Sequence, residues 1–200
     1  MNRTQLVTTG KPFVFTPKHL VEIDHIKSKY PPEKSASAVM PVLWLAQQHH
    51  DNWISKEVVE AVAITLNLPV MRVYEVVTFY TMYNIKPVGR HHIQVCRTTP
   101  CWLRGSDDVL KACFKACDVS QAGEVSPDQQ FSIVEVECLG ACANAPMVQI
   151  NNDYYEDLTP QLMTDLIDKL RSGQQTTTGS QTGRKCSQAD SRIPEVSHAK

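Results

Sequence analysis

Four cysteines fall in two close pairs. Cys96 and Cys101 have four residues between them, and Cys138 and Cys142 have three. Thiolates are soft donors, and four of them gathered in loops suit a metal centre. A [2Fe–2S] cluster takes four thiolates, and plant-type ferredoxins also place four residues between two of their ligands. Structural zinc accepts four thiolates too, at gaps of two to four residues. Spacing alone leaves both centres open: an electron carrier, or a zinc-stapled structural or interaction module. A thiol–disulfide enzyme is a third class, but it normally uses C-x-x-C, which this chain lacks.

The residues between and beside the pairs suit an anionic cluster. Gly140 lies at the centre of Cys138-Leu139-Gly140-Ala141-Cys142. Without a Cβ it takes backbone angles that turn amide N–H groups towards sulfur. Four thiolates on an oxidised two-iron core leave a formal charge of about −2, and reduction makes it about −3. Amide donors offset that charge and raise the reduction potential. Leu139, Trp102 and Leu103 are placed to exclude water, which acts in the opposite sense. Pro146 follows the second pair and precedes a strand-like run. The tight turn there suggests a cis Ala145–Pro146 bond, although only about 5–6% of X–Pro bonds in folded proteins are cis.

Other candidates read more plainly. Cys113 and Cys117 sit four apart in a helical stretch, in line with Val109. Free cysteine packs as a small hydrophobe, so these two belong to a core face rather than to the metal set. Cys186 lies in a polar tail and reads as an exposed thiol. His49–His50 and His91–His92 are adjacent pairs without the cysteine spacing of a Rieske centre. Tyr74, Phe79, Tyr80 and Tyr83 lie on or just after a Val-rich helix and read as core or interface.

The elements that must position these residues change character along the chain. Residues 1–95 hold no cysteine and read as helices. Thr16-Pro17 opens one and Pro31-Pro32 stops it. A second covers Ala38 to His49, with Pro41 tolerated in its first turn. Ser55 caps a third, and Pro69 opens a fourth that runs to about Tyr80. Beyond it, His92 to Cys96 is strand-like and Ser106 to Ala116 is helical. Phe131 to Glu137 alternates as a strand, with a further short strand at Met147 to Ile150. Asn151-Asn152-Asp153 signals a turn, and Tyr154 and Tyr155 suit a hairpin return. Thr159-Pro160 opens a last helix, ended by Gly173. Each cysteine pair is expected in a loop after a strand. Residues 174–200 carry no periodicity and read as disordered, or as an arm that orders on a partner.

Bulk properties narrow the classes. A net charge of −1 lacks the basic surplus of a nucleic-acid binder. The longest apolar run, Ala38 to Ala46, falls far short of the roughly 20 residues of a membrane span. Met1 to Pro12 has neither a secretory apolar core nor an Arg-rich amphipathic pattern. A soluble cytoplasmic protein of bacterial type is the expectation.

The segments Val95-Cys96-Arg97-Thr98-Thr99-Pro100-Cys101-Trp102-Leu103-Arg104-Gly105 and Glu137-Cys138-Leu139-Gly140-Ala141-Cys142-Ala143-Asn144-Ala145-Pro146 resemble the thioredoxin-like [2Fe–2S] ferredoxin family of NADH-quinone oxidoreductase subunits, respiratory complex I. Ala38-Val39-Met40-Pro41-Val42-Leu43-Trp44-Leu45-Ala46-Gln47 and Val73-Tyr74-Glu75-Val76-Val77-Thr78-Phe79-Tyr80 look like that family too, and the likeness runs over residues 15–172. The resemblance implies an α/β (α+β) chain: a flexible N-terminus at 1–14, a small helical bundle at 15–88, a thioredoxin-like [2Fe–2S] ferredoxin domain at 89–173, and a disordered tail at 174–200. It implies one [2Fe–2S] cluster on Cys96, Cys101, Cys138 and Cys142. FMN and NADH would sit on a partner chain, alongside the other members of the complex's peripheral arm, at the cytoplasmic side of the inner membrane. Arg97 and Arg104 lie near the first pair, as neighbours of the cluster or the flavin subunit or as surface charges. This chain itself has no G-x-G-x-x-G or P-loop for a nucleotide, and no nucleophile or base of its own is evident. Related chains serve NAD-linked hydrogenases and formate dehydrogenases. Cys113, Cys117 and Cys186 lie outside the family's pattern.

Overall fold

A computed structural model describes residues 5–185 of the chain. It divides between Arg90 and His91 into two compact units.

The first unit is helical: α1 (Pro17–Lys27), α2 (Val39–Gln48), α3 (Lys56–Leu66) and α4 (Val70–Phe79), with a 3-10 stretch at Pro32–Ala38 before α2. Capping sets the starts. The Thr16 hydroxyl accepts from the His19 amide at 3.4 Å, and Ser55 Oγ accepts from Val58 at 3.4 Å. Asn67 closes α3 in the left-handed region at φ 51°. One apolar side of each helix turns inward, giving a core of Ile23, Leu43, Val58, Val62, Val73 and Val77. Tyr83 is fully buried in it, and its hydroxyl donates to the Met40 carbonyl at 2.9 Å. Phe79, by contrast, is exposed.

Residues 5–14 differ from the flexible lead expected for them. The Glu57 carboxylate accepts from the Thr8 hydroxyl and from the amides of Thr9 and Gly10 at 3.0 and 3.1 Å. Lys56 N–H donates to the Val7 carbonyl at 3.0 Å. These bonds use a carboxylate in the first turn of α3, which no local pattern in the lead segment reveals.

The second unit is built on a five-stranded sheet ordered β2-β1-β3-β4-β5. The strands are β1 (His91–Cys96), β2 (Phe131–Val136), β3 (Val148–Ile150), β4 (Asp153–Glu156) and β5 (Gly179–Ser180). β1 runs parallel to β2 and antiparallel to β3, and β3–β4 is the hairpin that the Asn-rich turn signals. Helices α5 (Thr99–Leu103) and α6 (Ser106–Cys117) fill the crossover from β1 to β2, and α7 (Pro160–Arg171) follows β4. Ile93, Val95, Phe131, Ile133 and Val148 pack with Val109, Cys113 and Cys117 of α6 and Met163 and Ile167 of α7. Cys113 and Cys117 are thus core residues, and burial pushes the Cys117 thiol up to about 12.

The tail departs from a disordered reading as far as residue 185. Gly179 and Ser180 pair in parallel with Tyr155 and Glu156, and the Tyr155 and Thr176 hydroxyls lie 2.7 Å apart. A two-residue polar strand has no periodicity to announce it. Cys186 lies outside the described residues.

One buried polar pair joins the starts of β1 and β2. His92 Nδ1 lies 2.8 Å from Ser132 Oγ across the β1–β2 pair, and the His92 amide donates to Asn151 Oδ1 at 2.9 Å. Burial lowers the His92 pKa from 6.5 to about 4. The native ring therefore stays neutral where the unfolded chain takes up a proton, so stability falls as pH drops from 6.5 towards 4. In a His92→Asn variant this part of the profile flattens, so the gap between wild-type and variant urea midpoints narrows towards acid pH. A gap constant across the window would contradict the assignment.

Candidate metal centre

Parallel pairing decides where the cysteines go. β1 and β2 run side by side with Cys96 opposite Val136, so both strands end at the same edge of the sheet. Cys96 is the last residue of β1 and Cys138 follows β2 by two residues. The ladder continues one step beyond, with Arg97 N–H donating to the Val136 carbonyl at 3.1 Å. Each strand then turns at once. The single turn of α5, with Pro100 in its first turn, carries Cys101, and a 3-10 turn at Cys142–Asn144 carries Cys142. Cys101 therefore sits in a short helix rather than in the loop expected for it.

The four sulfurs come together as two pairs. Cys138 and Cys142 Sγ are 3.6 Å apart. Tetrahedral metal–thiolate bonds of about 2.3 Å set neighbouring sulfurs about 3.8 Å apart, so this pair is spaced like two ligands of one metal. Cys96 and Cys101 are buried in one small cluster and each shifts the other's pKa, and the charge on Cys96 also acts on Cys138 and Cys142. Among the described residues, no three His, Cys, Asp or Glu groups close on the position of a single ion. Two cysteine pairs, one with its sulfurs 3.6 Å apart, are a donor set that a two-iron core could use, two protein ligands to each iron.

Burial and hydrogen bonds divide the thiols. Cys96 and Cys101 are buried with Ala145 and Met147, and Leu139, Ala141 and Tyr154 pack against them. Burial and the bond to Cys96 push the Cys101 thiol up to about 12. At Cys96 burial acts the same way but is outweighed by the Thr98 hydroxyl, 3.4 Å from the sulfur, and by the amides of Thr98 and Leu139, so its pKa falls. Cys138 is exposed, and the Gly140 amide leads in lowering its pKa. Gly140 stands at φ 88°, the left-handed conformation that aims this donor inward. Cys142 is exposed too, and its pKa is raised first by its bond to Cys138.

The second ligand loop is held from behind. The Ala145–Pro146 bond is cis, as the tight turn suggests. Tyr154 Oη donates to the Leu139 carbonyl at 2.9 Å, and Arg184 Nη2 to the Ala143 carbonyl at 2.7 Å. Arg104 Nε reaches the Ala145 carbonyl at 3.5 Å. Arg97 pairs with Asp107 at 2.7 Å and with Glu135. Both arginines near the first pair thus have partners inside the unit. Trp102 and Leu103 do not screen the sulfurs; they are 55% and 71% exposed, and only Leu139 packs inward. The four histidines of the adjacent pairs lie elsewhere. His91 and His92 begin β1, at the end away from Cys96, and His49 and His50 belong to the first unit. Sequence reasoning missed Thr98, Tyr154 and Arg184, which act through short polar contacts with no periodic pattern.

The thioredoxin-like [2Fe–2S] ferredoxin family model matches residues 23–171. The chain belongs to this family. Among its relatives, a protein of Rickettsia bellii (strain RML369-C) named as a subunit of NADH-quinone oxidoreductase is 56% identical over 160 residues, 80% of this chain and 95% of that protein. "NADH dehydrogenase [ubiquinone] flavoprotein 2, mitochondrial" of Dictyostelium discoideum is 45% identical over 177 residues, 88% of this chain and 71% of that one. The fold is also that of a solved NAD+-reducing [NiFe]-hydrogenase chain, with a TM-score of 0.57 at 19% identity over 66% of this chain. The match spans 22% of that larger chain.

Thiol reactivity separates the ligand set from the core cysteines. In the metal-free chain, with Cys186 replaced by Ser, iodoacetamide should modify Cys138 first, since it is exposed and its thiolate is favoured. Cys113 and Cys117 should react only on unfolding. Peptide mass spectrometry over a time course reads the order, and early labelling of Cys113 would contradict it.

Proposed function

We propose that this chain is the electron-transfer subunit of an NADH:quinone oxidoreductase, holding one [2Fe–2S] cluster on Cys96, Cys101, Cys138 and Cys142 beside a partner that binds NADH and FMN. The observation that carries the reading is the convergence of two cysteine pairs at one sheet edge, in a chain 45–56% identical to proteins named for NADH-quinone oxidoreductase and NADH dehydrogenase. The likeness to the NAD+-reducing hydrogenase, at 19% identity, supports the fold alone. The helical unit and the ferredoxin unit would both meet neighbours in the peripheral arm, at the cytoplasmic side of the inner membrane. No helix among the described residues is long and apolar enough to cross that membrane.

A [2Fe–2S] cluster supplies one-electron acceptance, which complements a flavin that receives hydride as two electrons. The chain's own residues do the rest. The four thiolates would hold iron, and the Thr98 hydroxyl, 3.4 Å from Cys96 Sγ, together with the amides of Thr98, Leu139 and Gly140, favours the charged forms of Cys96 and Cys138. Those dipoles offset the negative charge of a thiolate-rich centre. The Cys96 and Cys101 side is sealed by Met147 and Leu139, whereas Cys138 and Cys142 stand at the surface. The exposed pair would lie on the side through which electrons exchange, and exposed Trp102 and Leu103, which follow Cys101, would offer an apolar contact to the flavin partner.

NADH should leave the isolated holoprotein's visible spectrum unchanged. With the flavin partner added, NADH should bleach that spectrum and give the EPR signal of a reduced cluster. Rapid reduction by NADH without the partner would overturn the division of labour.

A further inference from the structure

Arg184 lies far in sequence from Cys96, Cys101, Cys138 and Cys142, yet its guanidinium is anchored behind the loop that carries Cys138 and Cys142. Nε donates to Asp157 Oδ1 at 2.7 Å, and Nη2 donates to the Ala143 carbonyl at 2.7 Å, next to Cys142. Asp157 is buried at 8% exposure and fixed in turn. Its Oδ2 accepts from Ser180 Oγ at 2.6 Å, and its amide donates to the Asn144 carbonyl at 2.8 Å. Ser180 Oγ also accepts from the Arg184 amide at 3.0 Å, and Ser180 belongs to β5, the strand the tail adds to the sheet. Tail, sheet edge and ligand loop thus form one hydrogen-bonded unit.

We propose that Arg184, with Asp157, is a positioning residue for the [2Fe–2S] site: the tail is a latch that holds the Cys142 turn in its ligating geometry and balances charge beside the cluster. This rests on the cluster reading above. The Ala143 carbonyl, held by a charged donor, cannot rotate freely, so the turn it belongs to cannot swing Cys142 away from Cys138. The same guanidinium is ion-paired with the buried Asp157 carboxylate; without it, Arg104 is the cation left to offset that charge, and the segment bonded to the Cys142 turn through the Asn144 carbonyl carries more negative charge. That makes reduction harder.

Four full-length holoproteins test this: wild type, Arg184→Gln, Arg184→Lys and the double variant Arg184→Gln/Asp157→Asn. Two quantities are read in each, the rate at which visible absorbance is lost to an iron chelator and the reduction potential by EPR titration. Loss from Arg184→Gln should be roughly ten- to hundredfold faster than from wild type, the usual effect of removing a group that orients a ligand. Arg184→Lys, which retains charge but not the two-pronged reach, should lie between them and keeps the test open if Arg184→Gln folds poorly. The potential should fall in Arg184→Gln and return towards wild type in the double variant, while cluster loss stays fast. A purely structural anchor would not give that recovery. Chelation rates within twofold of wild type in both single variants, or a potential that does not move, would overturn the latch. Wild type without iron would instead overturn the cluster reading itself.

Discussion

The parallel pairing of β1 and β2 is the constraint on which the rest depends. With Cys96 opposite Val136, two cysteine segments separated by α6 and a long connection must emerge at one edge. A register slip of one residue would reverse the faces of every side chain on a strand, so the apolar alternation of Phe131, Ile133 and their partners also fixes the sulfurs. The packing of α6 and α7 on this sheet is the energy that maintains the register. Core and cysteine placement are thus one problem, solved by the same hydrophobic burial.

Four thiols in one small region oppose one another once ionised, and the chain answers with dipoles. Gly140 in the left-handed region, Thr98 just after β1 and the amide of Leu139 favour the thiolates of Cys96 and Cys138. The asymmetry between a sealed pair and an open pair then gives the centre a direction. Carbonyls of the second loop are tied down by Tyr154, Arg104 and Arg184, so the exposed pair is also a braced one.

Much of this was legible in the sequence because it is local or periodic. The caps at Thr16, Ser55 and Thr159, the alternation of β2 and the cysteine spacing all announce themselves within a few residues. The core role of Cys113 and Cys117 follows from helical periodicity. What was hidden is non-local and polar. The Glu57 contacts that fasten residues 8–10, and the Arg184–Asp157 pair, join segments whose own patterns are silent. Trp102 and Leu103 misled for a related reason: closeness in sequence to Cys101 does not say which way a side chain leaves a single helical turn.

A two-iron cluster on Cys96, Cys101, Cys138 and Cys142 is what the proposed function stands on. The direct measurement is on protein purified without oxygen: iron, zinc and acid-labile sulfide counted per chain, with EPR after dithionite. The account requires about two irons and two sulfides, a reddish-brown colour and a signal from the reduced state. One zinc, no sulfide and no colour would contradict it.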